Sequence, residues 1–531
     1  MWRHGPLGRF HRAARATDPS RTAPRAETMR NRFSYLRPIL DYLGLLVWVF
    51  GLLMLVPLAY SLACGDAARD PMLSVGFGAP ALLALILGLA LKRNLRFPPL
   101  DGRRAMMLTG LGWIVVSAIG AVPFWLGLRV GLLDAYFETV SGFTTTGITM
   151  LQGLDVLPRS ILFWRAFIQW LGGLGILAFF LAILYTGGSA HRLYSAESHK
   201  VFSKRPAPGL FHTLRILWVI YAGLTALVAA ALVLEGTSVF DGVSHAMTAL
   251  STGGYSPYDA SIGHYAAAGY RNAPLIEYTV VLGMLAGGIN FFVHSRVLRG
   301  GFRALWDSLE MRLFWAIVAG ATLLVVFDQA RAVTAQGLAL GDALSRGEEL
   351  FRTSLFQVVS ILTTTGFATR DIGSDLYPAA SKLVFLILMV VGGCVGSTGG
   401  GIKVLRTGIL FKMIRRQVLL STHGRASVQP VVIDGERVEP EELRRVAALF
   451  FAWIGLLAFG GLVTALASRH GALESASGMF SALGNIGPCY ISASDMVALP
   501  ATVKIVYTLG MLAGRLEILP LLLLFSRKSW R

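Results

Sequence analysis

The sequence predicts an all-α, polytopic membrane protein with ten membrane spans and four short helices that enter the membrane without crossing it. Three observations support this fold class. The 531 residues are 54% hydrophobic and only 15% charged, with a mean hydropathy of +0.60, whereas soluble domains carry nearer a quarter charged residues. Long apolar segments alternate with short ones along most of the chain. A short polar loop is also repeated four times, at intervals of roughly 110 to 120 residues, which indicates an internal repeat.

The chain begins with a basic segment, residues 1–37, that contains nine arginines and hardly any apolar run. We expect a poorly ordered cytoplasmic tail, because the segment lacks the apolar core and small-residue cleavage site of a signal peptide. Met29 is an alternative start of the protein. Two apolar segments follow, at about 39–64 and 72–91, and predict two N-terminal transmembrane helices within residues 38–92.

From residue 105 onward each repeat consists of a long apolar span, a short apolar stretch, the polar loop and a second long span. A helix needs about 20 residues to cross the hydrocarbon core, so the stretches of about 12 or 13 residues fit re-entrant helices. The long spans lie at about 105–128, 159–185, 211–234, 275–297, 311–328, 382–411, 443–467 and 500–525. The short stretches lie at about 133–145, 240–252, 350–364 and 473–485. The four repeats therefore occupy residues 105–190, 211–298, 311–412 and 443–527.

The basic residues predict the orientation in the membrane. With ten spans, and each re-entrant helix returning to its own side, all the basic clusters fall on one face, which the positive-inside rule makes cytoplasmic. These clusters are the N-terminal tail and residues 92–104, 192–205, 296–312, 403–425 and 528–531. Both termini are then cytoplasmic and the four polar loops open to the outside. The polar insert 426–442 is expected to be a cytoplasmic hairpin that turns at Asp434-Gly435.

The repeated loop is the candidate functional site. In each copy a Thr or Asn stands two residues before a glycine: Thr145-Thr146-Gly147, Thr252-Gly253-Gly254, Thr364-Thr365-Gly366 and Asn485-Ile486-Gly487. Polar backbone at membrane depth must be buried in protein or line a watery cavity. Four such loops can meet around one axis, where glycine lets carbonyls turn inward and rings of carbonyls replace the water shell of a potassium ion.

A potassium site in these loops would use the carbonyl and side-chain oxygens of Thr145, Thr146, Thr252, Gly253, Thr364, Thr365, Asn485 and Ile486. The alternative is that Thr and Gly merely allow close helix packing, as in many membrane helices. Four copies in the same context favour the ion site over packing. The acidic or polar residues near the start of each short helix have two compatible interpretations, as helix caps or as an outer ring that attracts cations: Asp134, Asp241, Thr353 and Glu474.

The span at 382–411 is predicted to break midway, because it contains six glycines between residues 392 and 401 and each glycine costs about 1 kcal/mol in a helix relative to alanine. A phosphate-binding P-loop is excluded, since the segment follows no strand and lacks the Gly-Lys-Ser/Thr ending. A packing surface explains a few glycines but not six. A loop beneath the polar loops that obstructs a pore is the third interpretation, and its gate residues would be Gly396, Ser397, Thr398, Gly399, Gly400, Gly401 and Lys403.

Arg515 lies inside the apolar span Tyr507–Phe525, where a charge is costly and indicates function. We expect it to face the pore below the polar loops, as a cationic barrier and a partner for carbonyls near Gly399. The alternative is a buried ion pair with an acid on another helix. The second repeat carries Gly283-Met-Leu-Ala-Gly-Gly288 where the fourth carries Gly510-Met-Leu-Ala-Gly-Arg515, so the same position is Gly in one repeat and Arg in another.

Several motifs together resemble the Trk/Ktr/HKT superfamily of potassium and sodium transporters, most closely its bacterial TrkH branch. The resemblance covers the chain from about residue 38 to its end. Its distinctive stretches are Ser141-Gly-Phe-Thr-Thr-Thr-Gly147, Leu157-Pro-Arg-Ser-Ile-Leu-Phe-Trp-Arg165, Gln169-Trp-Leu-Gly-Gly-Leu-Gly175, Gly392-Gly-Cys-Val-Gly-Ser-Thr-Gly-Gly-Gly-Ile-Lys403 and Gly514-Arg-Leu-Glu517.

The resemblance implies four membrane–pore–membrane units around one pore, two extra N-terminal helices, a homodimer and a cytoplasmic ring of TrkA-like nucleotide-binding subunits. It implies potassium uptake at the bacterial inner membrane, with the segment 392–403 as the gate. Glycine at all four filter positions goes with potassium in this superfamily, whereas serine at the first favours sodium; Gly147, Gly254, Gly366 and Gly487 fit the potassium pattern. The fourth loop departs from the others, because Pro488 follows its glycine.

Other functions are less consistent with the sequence. A sodium-permeable or sodium-coupled transporter is the nearest alternative. An enzyme is not expected, since the ten histidines are scattered and no hydrolase motif or nucleotide site is present. The three cysteines, Cys64, Cys394 and Cys489, form no CxxC motif and support neither a disulfide framework nor a zinc site. We expect no covalent cofactor, only a K⁺ ion bound in the filter.

Overall fold

The computed structural model describes residues 24–91, 100–175, 210–335, 346–423 and 430–530, and these are mostly helical. In these ranges six helices are long and apolar enough to cross a membrane, at Leu36–Ala63, Pro71–Leu91, Gly102–Gly127, His212–Leu234, Leu309–Val333 and Pro440–Ala467. A seventh span results if the bent pair Ala273–Gly288 and Phe291–Val297 is counted as one. The prediction of a mostly helical chain with membrane-spanning helices is therefore confirmed.

Some predicted features lie outside the described residues. These are most of the tail 1–37, the basic segments 92–99 and 192–205, the end of the span 159–185 and the first residues of the insert 426–442.

Four short helices lead into the four polar loops. The four short helices are Leu132–Phe143, Val239–Leu250, Gly347–Leu362 and Ala472–Gly484. The longer or span-forming helices are Pro24–Ala63, Pro71–Leu91, Gly102–Gly120, Arg159–Gly173, Leu210–Leu234, Ala273–Gly288, Phe291–Val297, Leu309–Ala335, Ala379–Val391, Val404–His423, Pro440–Ala467, Ala501–Arg515 and Leu519–Phe525. Minor helices and turns lie at Asp66–Arg69, Pro123–Gly127, Leu154–Val156, Gly263–Ala267, Phe302–Leu305, Ala493–Ala498 and Arg527–Trp530.

The span at 382–411 consists of two helices joined by the non-helical segment Gly392–Lys403. Two further spans, treated as continuous from the sequence, are also interrupted. The span at 275–297 bends by 106° between Gly288 and Phe291. The span at 500–525 stops after Arg515 and resumes at Leu519.

Each of these interruptions has a physical cause in the neighbouring chain. The carbonyl groups of Gly287 and Gly288 leave their helix ladder and accept hydrogen bonds from the N–H groups of Thr398 and Cys394, at 3.2 and 3.0 Å. In the last span Glu517 and Ile518 both adopt positive φ, at 57° and 66°. The Glu517 carboxylate is held by Arg406 of the helix Val404–His423 at 2.8 Å, which ties this break to another helix.

Two hydrophobic cores hold the repeats together. One joins the N-terminal helices to the first and fourth repeats and contains Phe50, Phe77, Trp164 and Tyr507. The other joins the second and third repeats. The two N-terminal helices pack closely, because Gly88 brings the backbone within contact of Trp48; a methyl group on Gly88 would lie 2.6 Å from the Trp48 Cβ.

The insert forms a two-stranded antiparallel hairpin, Val432–Ile433 and Glu436–Arg437, around Asp434 and Gly435. Its buried apolar side chains share a third, smaller core with Val395 of the broken span. The Asp434 carboxylate accepts a hydrogen bond from the N–H of Leu309 at 2.8 Å, which caps the first residue of the helix Leu309–Ala335.

The starts of the four short helices differ from a simple capping pattern. The Glu474 carboxylate accepts from the Gly471 N–H at 2.8 Å, and Asp241 pairs with the N-cap Ser238. Asp134 accepts instead from the Lys504 ammonium at 2.6 Å. A capping role for Thr353 is wrong, because the third short helix begins earlier, at Gly347, and Thr353 lies in its interior.

Candidate functional site: a ring of four loops

The four repeated loops have the same backbone conformation. The residue two before the glycine adopts a left-handed conformation in every copy, with φ of 54°, 52°, 58° and 55° at Thr145, Thr252, Thr364 and Asn485. The glycines also have positive φ, at 84°, 73°, 87° and 108° for Gly147, Gly254, Gly366 and Gly487. Positive φ is strained for a β-branched residue such as threonine, and strain of this kind persists only where the surroundings enforce it.

Hydrogen bonds to the short helices enforce this conformation. In each loop the residue after the left-handed one donates its N–H to a carbonyl five residues earlier, in the last turns of the short helix. These bonds are Thr146 to Ser141 at 2.8 Å, Gly253 to Thr248 at 2.9 Å, Thr365 to Ser360 at 2.8 Å and Ile486 to Ser481 at 3.0 Å. The loops therefore end their helices identically, although their sequences differ.

The loops meet in a closed ring, in chain order. The α-carbon of each loop glycine lies directly against a carbonyl oxygen of the next loop, with no room for a methyl group. Gly147 faces the carbonyl of Gly253, Gly254 that of Thr365, Gly366 that of Ile486, and Gly487 that of Thr146. The fourth contact returns to the first loop, so the four repeats surround one axis at this level. The polar side chains of the ring are fully buried.

The ring is not fourfold symmetric in its side chains. In the first and third loops a pair of hydroxyl groups braces the turn: Thr144 with Thr146 and Thr363 with Thr365, both at 2.7 Å. In the fourth loop the Asn485 amide donates to the Thr146 hydroxyl and to the Met511 carbonyl, both at 2.9 Å. In the second loop Gly253 provides no hydroxyl. Its carbonyl accepts instead from the side chain of Gln169 at 2.6 Å.

The non-helical segment Gly392–Lys403 lies against one end of this ring. Gly400 donates its N–H to the Thr364 hydroxyl at 2.6 Å, and the Thr252 hydroxyl lies 3.2 Å from the Thr398 hydroxyl. A methyl group on Gly400 would come within 2.9 Å of the Asn485 Cβ. The segment thus contacts the left-handed residue of three loops. Gly392, Gly396, Gly401 and Lys403 have positive φ, which explains why a continuous helix is impossible here.

Arg515 contacts the first loop, whose left-handed residue the segment itself does not reach. One of its terminal nitrogens lies 2.6 Å from the Thr398 carbonyl and 3.3 Å from the Thr145 hydroxyl. The other donates to the carbonyls of Gly172 and Gly173, at 2.5 and 2.6 Å. A guanidinium presents its donors in a planar fork that suits two separate sets of acceptors. Arg515 therefore connects the segment 392–403 to the first loop and to the helix behind it.

Ion pairs and hydrogen bonds also fix the far side of the segment. The Lys403 ammonium donates to the Gly399 carbonyl, and the Glu310 carboxylate accepts from the Val395 N–H at 2.6 Å. Arg406 pairs with Glu517 at 2.8 Å, which accounts for the acid that follows Arg515 in sequence. Ser397 donates to the Cys394 carbonyl at 2.6 Å.

Comparison with known proteins identifies the family of this chain. The sequence profile of the TrkH family, described as a cation transport protein, matches residues 81–531. The chain belongs to the TrkH family. This TrkH-family chain is 32% identical over 507 residues to the Trk system potassium uptake protein TrkH of Escherichia coli K12, covering 94% of this chain and 100% of the relative. It is 33% identical over 507 residues to TrkH of Halomonas elongata, covering 93% of this chain and 99% of that relative.

The solved structures include a similar fold. The crystal structure of the potassium transporter TrkH from Vibrio parahaemolyticus matches with a TM-score of 0.78 and 30% identity. The match covers 93% of this chain and 100% of that chain. The family is one of membrane transporters, so the prediction that the chain is not an enzyme agrees with its family.

One buried network behind the first two loops of this TrkH-family chain was not anticipated from the sequence. Arg165 donates to the Glu138 carboxylate at 2.9 Å and to the Ser256 carbonyl at 2.9 Å, and its guanidinium lies over the Tyr255 ring at 4.0 Å. Tyr255 in turn donates its hydroxyl to the Glu138 carbonyl at 2.9 Å. Arg165 lies in a predicted motif, but nothing in the sequence indicates its acidic partner.

The histidines and acids of the described ranges do not form a metal centre, since no group of three or more His, Cys, Asp or Glu side chains is placed to hold an ion. His245 bonds Ser256 at 3.0 Å, and His294 bonds the Ala286 carbonyl at 2.8 Å.

Proposed function

We propose that this protein takes up potassium ions across the bacterial inner membrane, through a pore formed by four membrane–pore–membrane repeats. The closed ring of four loops with one shared backbone conformation is the observation that carries the proposal. Relatives with this family's sequence are named potassium uptake proteins. Rings of backbone and hydroxyl oxygens replace the hydration shell of potassium in selective pores.

The selectivity filter consists of the twelve loop residues: Thr145, Thr146, Gly147, Thr252, Gly253, Gly254, Thr364, Thr365, Gly366, Asn485, Ile486 and Gly487. Glycine at the third position is required by close packing around the ring, since any side chain there would displace a carbonyl of the next loop. In the superfamily, serine at the first of these positions favours sodium, and this chain has Gly147 there. Potassium is therefore the proposed substrate, and sodium permeation is the alternative.

The gate is the segment from Gly396 to Lys403, held against the ring by Arg515. It contacts three of the four left-handed loop residues directly, and Arg515 reaches the fourth. An ion that leaves the ring at this end meets Gly399, Gly400 and a fixed positive charge. Opening requires the segment to release the Thr364 hydroxyl and the Arg515 side chain together.

The proposal also includes orientation and partners. Both termini are cytoplasmic, as the basic clusters indicate. The hairpin Val432–Arg437 and the helix Val404–His423 then lie on or towards the face where a TrkA-like nucleotide-binding subunit would act. The shared core between the hairpin and Val395 gives such a subunit a route to the gate. A homodimer follows from the family resemblance. Uptake by a channel mechanism or by symport is compatible with the ring.

Complementation tests the proposal directly. A bacterium lacking its potassium uptake systems is given this chain together with a TrkA-like subunit, and growth is measured at low external potassium. We expect growth to be rescued, and to be lost in a Gly366→Asp variant of equal membrane abundance. Growth no better than with an empty vector, despite good membrane expression, would refute potassium uptake. Uptake of sodium without potassium, or growth that is rescued only when sodium is present, would support the sodium alternative.

A further inference from the structure

Gln169 forms a clamp on the backbone of the second loop. Its side chain is fully buried in the helix Arg159–Gly173, which belongs to the first repeat. The amide nitrogen donates to the Gly253 carbonyl at 2.6 Å, and the amide oxygen accepts from the Tyr255 N–H at 3.0 Å. The carbonyl and the N–H fix which way the amide group faces. The clamp therefore spans Gly254, the glycine that contacts the third loop.

The internal repeat shows that this glutamine is exceptional. The second helices of the repeats align on Gly173, Gly288, Gly393 and Arg515, and four residues before these stand Gln169, Met284, Met389 and Met511. The three methionines are fully buried, as Gln169 is. Methionine and glutamine have similar lengths, so the first repeat replaces an apolar side chain by a polar one of about the same size.

The loop opposite Gln169 has changed as well. Where the other loops carry Thr146, Thr365 and Ile486, the second carries Gly253. The φ of Gly253 is not positive, so its backbone does not require glycine. A Cβ at this position would overlap the Gln169 amide, with its nitrogen only 2.8 Å away. Gln169 and Gly253 are therefore a matched pair: the glycine makes room for the amide that holds its own carbonyl.

We infer that Gln169 is a positioning residue that fixes the Gly253–Gly254 peptide and thereby contributes to potassium selectivity. The inference rests on the proposed function of the ring as a filter. In the first and third loops a pair of hydroxyl side chains braces the corresponding turn. The second loop lacks that pair, and the clamp from the neighbouring repeat replaces it. Loss of the clamp frees the peptide to rotate, which changes the field that the ring's oxygens present to an ion.

The first test compares Gln169→Met, which gives the first repeat the residue of the other three, with the matched control Met389→Leu. The K⁺/Na⁺ permeability ratio of purified protein in liposomes is measured. We expect the ratio to fall about threefold to tenfold in Gln169→Met, because two buried hydrogen bonds are lost, and to be unchanged in Met389→Leu. A wild-type ratio in Gln169→Met would overturn the inference, since that variant conserves volume and a space-filling role would be preserved.

The matched pair supplies a rescue experiment. Gly253→Thr alone places a side chain on the Gln169 amide and should reduce both potassium flux and selectivity. The double variant Q169M/G253T introduces the methionine of the other three repeats and the threonine of two of the other three loops, with Ser251 available to brace the new hydroxyl. We expect the double variant to be more selective than either single variant. A double variant no better than the worse single one would contradict the pairing of the two residues.

Amide hydrogen exchange separates this inference from the proposed function. The Tyr255 N–H bonds the Gln169 oxygen, so it should be protected in the wild type and exchange faster in Gln169→Met. Unchanged exchange would overturn the clamp, whatever the transport result. If the Tyr255 N–H exchanges faster in Gln169→Met but the wild-type protein passes no potassium, the clamp is supported and the proposed function is refuted.

Discussion

Replacing Arg515 is the strongest perturbation of the proposed gate. Arg515→Met removes the donors to the Thr398 carbonyl on the gate segment and to the Gly172 and Gly173 carbonyls on the first repeat. A hydrogen bond that involves a charged group contributes about 1.5–3 kcal/mol. If the bond to Thr398 alone is counted, the ratio of open to closed protein rises about 10-fold to 150-fold. The positive charge on the ion path disappears in the same variant, which acts in the same direction.

Flux of ⁸⁶Rb⁺ into potassium-loaded liposomes measures this effect without the regulatory subunit. Arg515→Lys separates the two contributions, because it keeps the charge but cannot reach both sets of carbonyls. If the fork holds the gate closed, both variants pass more rubidium than the wild type; if only the charge matters, Arg515→Met alone does. Arg527→Met, which removes an exposed charge elsewhere, is the control. Flux in a well-folded Arg515→Met protein no higher than in the wild type would refute the gating role of Arg515.

Three further predictions concern the ring, its support and the hairpin. Gly147→Ser should lower the K⁺/Na⁺ permeability ratio, since its side chain would meet the Gly253 carbonyl. Gly153→Ser is the control and should leave the ratio unchanged, since Gly153 also has positive φ but a Cβ there would make only an ordinary contact with Val156, at 3.8 Å. Glu138→Gln breaks the buried ion pair with Arg165 and should reduce the free energy of unfolding by about 3–5 kcal/mol. Asp307→Asn, in the exposed pair with Arg296, should reduce it by less than about 1 kcal/mol. Equal losses of stability in the two variants, measured by thermal unfolding, would contradict this prediction. Asp434→Ala removes a helix cap and should lower the free energy of unfolding by about 0.5–2 kcal/mol. Arg437→Ala, at the exposed edge of the hairpin, should have little effect on stability. An unchanged melting temperature for Asp434→Ala would contradict a stabilising role of the cap.

The features that local chemistry dictates were predictable from the sequence. Glycine two residues after Thr or Asn, following a short apolar stretch, identified all four loops, because positive φ selects glycine at that position. The glycine cluster at 392–401 likewise located an interruption to within a few residues. Arg515 was expected near Gly399 because a charge in an apolar span needs polar partners, and its donors reach the adjacent carbonyl of Thr398.

The features that depend on distant contacts were not predictable. Glu517 and Ile518 adopt positive φ although neither residue favours it, so no local pattern indicates the break after Arg515. The bend before Phe291 depends on hydrogen bonds from a segment more than a hundred residues away. The Gln169 clamp becomes visible only when the repeats are aligned and the loop opposite is known. Pairing across repeats is set by tertiary packing, which a single sequence does not display.

The asymmetry of the ring has a consequence for selectivity. The four loops are braced in three different ways, by internal hydroxyls in the first and third, by Gln169 in the second and by the Asn485 amide in the fourth, although the backbone angles are similar. A filter built on this ring would depend on the backbone conformation more than on any one side chain. Variants that preserve it should therefore be tolerated better than variants that preserve the residue type.

The K⁺/Na⁺ permeability ratio of the purified wild-type protein in liposomes, under bi-ionic conditions, tests the central claim most directly. A ring of four carbonyl-lined loops, each with glycine at its third position, predicts a ratio clearly above one, and a lower ratio in Gly147→Ser. A ratio of one or less, or no potassium flux even with Arg515→Met in place to relieve the gate, would contradict the assignment of the ring as a potassium filter.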